Sequence, residues 1–582
     1  MLNKEDIMGA WIRSATIGLG ILLLLAACEP AKQAPPGTGI SGSSGAEAAK
    51  HAQPKKITAA IRSAPPSLAD VARFYAGLDG MQDLAEAGLT HLDGDGKRVP
   101  QLAEAVPSQE NGLWQVNPDG TMKTTWKIRP NVKWQDGTFF TADDVIFTAT
   151  VEQNRDLDLR KYALFDLIDQ ITSPDPSTIV VTWKKPYIEA DWTFSALAGL
   201  PLPKHLLEHA YNDDPSTFAG LPYWSTDFVG LGPYKVQEWV PDSSVVFSAY
   251  DDYVPGRPKI DEIDVKFIPD NNTLLANILA GVDLTLGKTV SLDMALGAKD
   301  EYESKGGKVL ITQQEWTPIN PQWINPDPPV IANYQFRKAL LEDIDRKALA
   351  DYVVNGYGGV ADSYVNPSEP MYNLIQPSIV TYGYDPKDSA QILQSLGYAK
   401  RDDGFLYDSE GKKLEVHIQI PLQNDIHQKT AAPVADAWQK LGVSVVQDDL
   451  PIQRAQDREF RSQFPGFNIT ERVNALDIRD IWNFHSSRVP LPENHFTADG
   501  FASRYRNPAV DAALEKYATT IPMPDRMKAL AELVHHQTEN LSEMPLFYGA
   551  DPTMVSKRLL NVTARGALFT QAWNVVDWDV KE

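Results

Sequence analysis

Apolar and polar positions change their spacing along the chain, and each spacing predicts a different element. Residues 15–27, ATIGLGILLLLAA, form an unbroken run of apolar and small residues. From Met122 to Arg129 apolar and polar residues alternate, which predicts a half-buried β-strand. Thr141, followed by two acidic residues and an apolar-periodic stretch, predicts a helix capped by Thr141. Strand and helix patterns alternate to the C-terminus without a sequence repeat, which indicates an α/β protein.

The N-terminal run predicts a signal peptide. Its 13 residues are too few to span about 30 Å of hydrocarbon, but they suit the apolar part of an export signal. The run ends in Leu25-Ala26-Ala27-Cys28, and Cys28 is the only cysteine of the chain. This resembles a lipobox, which implies that residues 1–27 are removed and that Cys28 carries a membrane-anchoring lipid. The alternative is an ordinary signal peptide with an incidental cysteine. Glu29-Pro30, the residues after the cysteine, do not indicate whether the lipid would lie in the inner or the outer membrane.

Residues 29–56 are rich in glycine, proline, alanine and serine and have almost no large apolar side chains. Such a segment cannot build a core, so residues 28–56 are predicted to be the lipidated cysteine and a flexible tether. A flexible chain of this length spans roughly 30 Å. The folded body is therefore expected to begin near Ile57 and to stay close to a membrane.

Composition narrows the class of function. The chain is 43% hydrophobic, as in globular proteins, and carries a formal charge of -23, which disfavours nucleic acid and anionic lipid as partners. Neither a G-x-S-x-G nor an H-E-x-x-H motif is present, and the adjacent His535 and His536 do not share a helix face. We therefore predict a monomeric, non-enzymatic body with no catalytic centre, metal or cofactor. A lipid-tethered hydrolase is the alternative.

Asp93-Gly94-Asp95-Gly96 superficially resembles a calcium-binding loop, but the acidic ligand that closes such a loop is missing. The segment is predicted to be a hairpin turn.

Six ordered motifs carry a family resemblance. They are DGTMKTTWKIRPNVKWQDGTFFTADDV (119–145), PLPKHLLE (201–208), GLGPYKVQEWV (230–240), the segment 251–285, FRKALLEDIDRKAL (336–349) and YDPKDSAQILQSLGY (384–398). The fifth resembles a family helix of pattern R-x-A-x-x-x-A-I-D-R. Together they resemble the extracellular solute-binding proteins of the dipeptide, oligopeptide and nickel family, which serve ABC importers, and the resemblance covers about residues 57–582.

The resemblance implies a periplasmic-binding-protein-like α/β fold, type II, cluster C. Two α/β lobes flank a cleft in this fold, and a further domain is inserted. Carried over to this chain, lobe I comprises 57–100, 201–310 and 546–582. The inserted domain II comprises 101–200, and lobe III comprises 311–545.

The resemblance also implies a ligand site between lobes I and III. In peptide-binding members an aspartate after a Gly-Trp pair anchors the ligand amine, and Asp477 has the corresponding position here. Val473-Asn474 replace the Gly-Trp pair, so a surface turn or helix cap is an equal alternative for Asp477, and Asp480 competes with it.

Aromatic residues are expected to line the cleft, because flat rings bury much area at small entropic cost. A core position is the alternative for each candidate. The prolines and asparagines around Trp316 and Trp323 favour a loop over the cleft rather than a packed strand. The aromatic candidates are Phe74, Tyr75, Trp316, Trp323, Trp482 and Tyr548, with Phe484 as a further option.

The sequence thus predicts a substrate-binding lipoprotein of the cell envelope that captures a peptide or peptide-like solute. Its expected partners are the permease and ATPase subunits of an ABC importer and the membrane that holds its lipid. The alternatives are a binder of an opine, an oligosaccharide or a metal chelate in the same fold, and a tethered sensory subunit.

Overall fold

A computed structural model describes residues 53–69, 81–157, 159, 161–313, 315–369, 371–421, 425–454, 457–473, 481–496, 504–564 and 571–581. Cys28, Phe74, Tyr75 and Asp477 lie outside these ranges, as do the predicted signal peptide and most of the tether. Within these ranges the chain has no helix of the length and apolarity that a membrane crossing requires.

The strands and helices alternate along the chain. The strands are β1 Lys56–Ile61, β2 Thr90–Leu92, β3 Arg98–Pro100, β4 Trp114–Val116, β5 Met122–Lys127, β6 Ile168–Asp175, β7 Thr178–Trp183, β8 Tyr234–Val240, β9 Ser244–Ala249, β10 Glu262–Phe267, β11 Leu284–Thr285, β12 Lys308–Thr312, β13 Glu315–Pro321, β14 Ala399–Lys400, β15 Leu406–Tyr407, β16 Glu415–Pro421, β17 Ser444–Leu450, β18 Phe467–Ile469, β19 Arg472–Val473, β20 Met544–Tyr548, β21 Asp551–Val555, β22 Leu559–Leu560 and β23 Asp579–Val580. The α-helices are α1 Gln82–Ala85, α2 Ala142–Gln153, α3 Lys204–Asp213, α4 Asn271–Ala280, α5 Leu292–Ser304, α6 Tyr334–Glu342, α7 Arg346–Val353, α8 Tyr372–Ile375, α9 Pro386–Ser395, α10 Asp425–Leu441, α11 Arg458–Ser462, α12 Pro508–Thr519 and α13 Met523–Asn540.

The largest sheet has seven strands in the order β12-β21-β11-β1-β10-β9-β8. Its first strand, β1, lies centrally and runs parallel to β10 and β11, whereas β9 and β21 are antiparallel to their neighbours. Because β1 is flanked on both sides, Ala59, Ala60 and Ile61 are fully buried. This burial explains why the strand ends in the unbroken apolar run Ala59-Ala60-Ile61.

The second sheet joins strands that are far apart in sequence. Its order is β17-β16-β18-β13-β19, and β20 also pairs with β13. Helices α6, α7 and α10 and the strands β13, β16 and β20 share one apolar core, in which Phe336, Trp438 and Phe547 are buried. This sheet and its helices form the body on which the second half of the site is built.

A four-stranded antiparallel sheet, β4-β5-β7-β6, confirms the strand predicted at Met122–Arg129. Helix α2 begins directly after Thr141, as predicted, and the backbone N–H of Thr141 donates to Asp144 at 2.9 Å. The predicted turn at Asp93–Gly96 is also confirmed, because β2 and β3 form a hairpin across it. The three domain boundaries proposed from the sequence stay a prediction.

The loop expected around Trp316 is wrong. Residues Glu315–Pro321 form β13, and six of its seven residues are buried. Prolines are tolerated there because Pro318 lies opposite Pro545, next to a register shift between Thr317 and Pro318. Proline is accommodated at such irregularities, where a missing N–H breaks no ladder bond.

The buried side chain of Gln135 joins two of the sequence motifs. Its Nε2 lies 2.7 Å from the Tyr234 carbonyl oxygen and 3.1 Å from those of Ala85 and Gly232, and its Oε1 accepts from the Gly230 N–H at 3.0 Å. A Cβ at Gly230 would approach the Ala85 oxygen to 2.0 Å. The WQDG turn and the GLGPY hairpin are therefore held together by one amide and by glycines that permit close approach.

Replacing Gln135 by leucine is expected to destabilise the fold by about 2–4 kcal/mol, because buried backbone groups lose their partner. Urea unfolding of the full chain measures this. The control is Gln115→Leu at an exposed site, where stability is expected to be unchanged within about 0.5 kcal/mol. Equal losses in the two variants would contradict the role of Gln135.

Candidate functional site

Two chain segments connect the seven-stranded sheet to the six-stranded sheet, and they run side by side. One leads from β12 into β13, and the other leads from β20 into β21. Thr312 pairs with Asp551 in one sheet, and Trp316 pairs with Tyr548 in the other. Between these pairs the Gly549 N–H donates to the Glu315 carbonyl oxygen at 2.7 Å. We call residues 312, 313, 315, 316 and 548–551 the ribbon.

The carboxyl ends of the parallel strands lie at the edge of the sheet from which the ribbon leaves. Leu286, just after β11, donates its N–H to the Ala60 carbonyl oxygen, and Lys288 then reaches the ribbon. Ligands of open α/β sheets bind outside the carboxyl ends of such strands. This edge, bounded by the ribbon, is therefore the candidate site.

Charged side chains cluster at the ribbon. Lys288 forms ion pairs with Glu315 and with Asp551, the second at 3.8 Å, and both carboxylates are largely buried. Burial opposes the charge on Lys288, but the carboxylates of Glu315 and Asp551 outweigh it and raise the pKa of Lys288. Lys288 follows β11, so the ion cluster ties the seven-stranded sheet to the start of β13.

A second buried ion pair lies beside it on β19. The Arg472 Nη1 lies 2.8 Å from Glu543 Oε1, and its Nη2 donates to Asn320 Oδ1 at 2.9 Å. Burial raises the pKa of Glu543 to about 7, although Arg472 acts against this shift. Burial likewise lowers the pKa of Arg472 to about 10. Removing either partner therefore leaves a charge in a site that disfavours it.

Three of the predicted ligand-binding residues lie in one apolar cluster: Trp316, Trp482 and Tyr548. Trp316 and Tyr548 are each only 3% exposed, whereas Trp482 is half-buried. The Tyr548 hydroxyl donates to the Val365 carbonyl oxygen at 2.7 Å, which fixes its ring. Tyr364 bridges the cluster, with ring centroids 6.5 Å from Trp316 and 5.2 Å from Phe484.

Trp323 has different surroundings. Its ring lies 4.5 Å from that of Tyr505, the Arg337 guanidinium stands 4.2 Å above it, and its Nε1 donates to the Ser542 carbonyl oxygen. None of these three contacts of Trp323 involves a residue of the ribbon. Its role as a ligand contact stays a prediction, as do those of Phe74, Tyr75 and Asp477 outside the described residues.

Sequence reasoning missed the charged residues of this site. Lys288, Glu315, Arg472 and Glu543 stand in unrelated local patterns and meet only through strand pairing. Among the residues that the structure describes, no group of three or more His, Cys, Asp or Glu is arranged to hold a metal ion.

Comparison with known proteins assigns the family. Residues 97–469 match the bacterial extracellular solute-binding proteins, family 5, middle region, so the chain belongs to this family of solute-binding proteins. This confirms the resemblance inferred from the motifs.

Similar proteins and a solved structure agree with this assignment. The chain is 24% identical over 385 residues to the oligopeptide-binding protein AppA of Bacillus subtilis, covering 65% of this chain and 67% of the relative. It is 27% identical to heme-binding protein A of Haemophilus influenzae, covering 59% of this chain and 60% of the relative. It spans about half the length of several Brucella relatives that it matches. NikZ of Campylobacter jejuni, solved with Ni(L-His), superposes with a TM-score of 0.72 at 22% identity, covering 90% of this chain and 99% of that one. The predicted fold class is thereby confirmed.

Replacing Arg472 by methionine is expected to destabilise the protein by about 3–5 kcal/mol at pH 8, because Glu543 is left buried and unpaired. Burial raises the pKa of Glu543 to about 7 even with Arg472 beside it, and the substitution removes the charge that acts against this shift, so the folded variant favours the protonated acid. The stability that this proton confers is full below the ordinary pKa of glutamate and is lost as the pH rises toward the folded-state pKa, so the loss is expected to be smaller at pH 5 than at pH 8. Urea unfolding at both pH values measures the difference.

The matched control is Arg454→Met, which breaks an exposed ion pair with Asp457. We expect it to cost less than about 1 kcal/mol at either pH. A loss in Arg472→Met that is the same at pH 5 and pH 8 would show that Glu543 is not the group responsible.

Proposed function

We propose that this protein captures a peptide or peptide-like solute between lobes I and III, beside the ribbon, and delivers it to the permease of an ABC importer. The observation that carries the proposal is the pair of adjacent crossings between two sheets in a chain of the solute-binding family. The oligopeptide-binding relative supports the ligand class.

Closure follows from two-state physics. The ribbon is the narrow connection about which lobes I and III rotate, so an open form exchanges with a closed form. A ligand that contacts both lobes stabilises the closed form, whereas contacts with one lobe alone add affinity without shifting the equilibrium. The importer recognises the closed form and so distinguishes loaded from empty protein.

The proposed ligand contacts combine aromatic walls with one charge. Trp482, which is half-buried, and the more deeply buried Trp316 and Tyr548 supply apolar area at the ribbon. Phe74 and Tyr75 are proposed to face them from lobe I, Trp323 is retained as a further lobe III contact, and Asp477 is proposed to pair with the ligand amine. A buried ligand charge needs such a partner, because leaving it unpaired costs several kcal/mol.

Cys28 is proposed to carry the lipid that keeps the body at the cell envelope. Its support is the short apolar run that ends in Leu25-Ala26-Ala27 directly before the only cysteine of the chain. The tether then leaves the cleft free to meet the importer.

The alternative ligand is a metal chelate, which the NikZ complex with Ni(L-His) brings into consideration. The aromatic cluster at the ribbon could contact the apolar parts of a peptide or of a metal chelate. A binding experiment in which the two classes of ligand compete therefore distinguishes them.

The full chain, stripped of bound solute by unfolding and refolding, is offered random pentapeptides, maltooligosaccharides and Ni(L-His) together. We expect mass spectrometry of the eluted complex to recover pentapeptides with intact masses. Recovery of sugar or of the nickel complex alone would contradict peptide capture, and recovery of cleaved peptides would favour the hydrolase alternative.

In the same assay Trp482→Ala is expected to weaken pentapeptide binding at least tenfold. The control is Trp239→Ala on β8, at the far edge of the seven-stranded sheet, which is expected to leave binding unchanged. Trp316 is a poorer probe, because removing a ring that is 3% exposed costs about 3–5 kcal/mol of stability.

Lipidation is tested by detergent-phase partitioning of the chain expressed in bacteria. The parent protein is expected in the detergent phase, with an acylated N-terminal peptide that begins at Cys28, and Cys28→Ala is expected in the aqueous phase. Thr38→Ala in the tether serves as the control and should partition like the parent. Aqueous partitioning of the parent would contradict the anchor.

A further inference from the structure

A groove of about 970 Å³ lies on the helical side of the six-stranded sheet. It is bordered by α7, α9, α10 and the hairpin of β14 and β15, and it shares no lining residue with the ribbon. Most of its wall is apolar, with Ile344, Leu349, Leu393 and Leu441 among the lining side chains. The groove is therefore a second concave surface, separate from the proposed solute cleft.

Asp343 lines this groove and is an unusual residue for its position. It is only 8% exposed, and its Oδ2 is buried and receives no hydrogen bond from any residue that the structure describes. Asp343 is not the N-cap of the neighbouring helix α7. That role belongs to Asp345, whose side chain accepts a hydrogen bond from the Ala348 N–H.

A buried carboxyl without a donor has two ways to lower its free energy: it binds a proton or it pairs with a cation. Burial raises the pKa of Asp343 to about 7, although Lys400 acts against this shift. Around neutral pH a cation in the groove can therefore compete with the proton for Asp343.

The lysines at the groove already have other partners. The Lys400 Nζ donates to the Lys440 carbonyl oxygen at 3.0 Å, and the Lys440 Nζ donates to Asp436 Oδ2 at 2.6 Å. Neither contact supplies a hydrogen bond to Asp343. Among the residues that the structure describes, no lysine therefore donates to the Asp343 Oδ2, and a cation bound in the groove could take that place.

Exposed aromatic rings complete the groove. Tyr352 and Tyr384 both line it, and they are 62% and 58% exposed. Tyrosine rings attract cations through their faces, and the attraction is stronger where water is excluded. Two exposed rings, apolar walls and one buried acid suit an ammonium group attached to an apolar body.

We propose that this groove binds an organic monocation, a primary ammonium with an apolar or aromatic body. The ammonium group pairs with Asp343, and the body lies against the apolar wall and the rings of Tyr352 and Tyr384. The groove shares no lining residue with the ribbon, so this proposal is tested independently of the proposed transport function.

The test is calorimetric titration of the full chain at pH 8 with 2-phenylethylamine and with 2-phenylethanol, which has the same shape without the charge. We expect the amine to bind at least tenfold more tightly than the alcohol. Asp343→Asn keeps the volume and removes the charge, and it is expected to abolish this preference.

Asp436→Asn is the matched control, because Asp436 lines the same groove but is 60% exposed and paired with Lys440. It is expected to change amine binding less than twofold. Tyr384→Ala is expected to weaken binding at least threefold, and Tyr384→Phe is expected to retain it.

Two results would overturn the proposal: alcohol binding as tight as amine binding, or amine binding in Asp343→Asn equal to that of the parent. The second result would locate the amine elsewhere, including the cleft at the ribbon. We expect Asp343→Asn to melt at the same or a higher temperature, because it removes a buried carboxyl without a donor. Should that variant fail to fold, the comparison of amine with alcohol on the parent and the two Tyr384 variants still decides.

Discussion

The backbone hydrogen bond from Gly549 to Glu315 joins the two segments that connect the seven-stranded sheet to the six-stranded sheet. Because these segments run side by side, residues far apart in sequence reach one edge of the molecule. Lys288 then meets Glu315 and Asp551, and Trp316 lies against Tyr548. A protein that closes on a solute needs a connection of this kind, narrow enough to bend and paired strongly enough to keep its register.

Charge burial differs between the two concave regions. At the ribbon the buried charges are matched: the half-exposed Lys288 pairs with the carboxylates of Glu315 and Asp551, and the buried Arg472 pairs with Glu543 and donates to Asn320. Such pairs stabilise the fold little in net terms, but breaking one is costly, so they favour a single arrangement of the strands. In the groove beside α7 the acid Asp343 forms no ion pair with any residue that the structure describes, and its Oδ2 receives no hydrogen bond from them, so it differs from the carboxylates at the ribbon in having no opposite charge in contact.

Local patterns predicted local structure well. The strand at Met122, the helix after Thr141 and the hairpin at Asp93 all form, because their signals depend on residues within one turn or one strand. The loop expected around Trp316 was wrong for a non-local reason, since Pro318 lies in a strand and is tolerated there at the register shift opposite Pro545. In the candidate site, residue type alone brought Trp316, Trp482 and Tyr548 into consideration, but it gave no signal for Lys288, Arg472 or Glu543.

The sequence by itself determined the α/β class, the family and the positions of most local elements, because periodicity, caps, turns and motifs are written in neighbouring residues. Only the tertiary structure decided which charges pair, which aromatic rings share a cluster and where a carboxyl is left without a donor. These outcomes depend on strand pairing between residues up to several hundred positions apart, as between Thr312 and Asp551. No local pattern carries that information, because burial and pairing are properties of the assembled sheets.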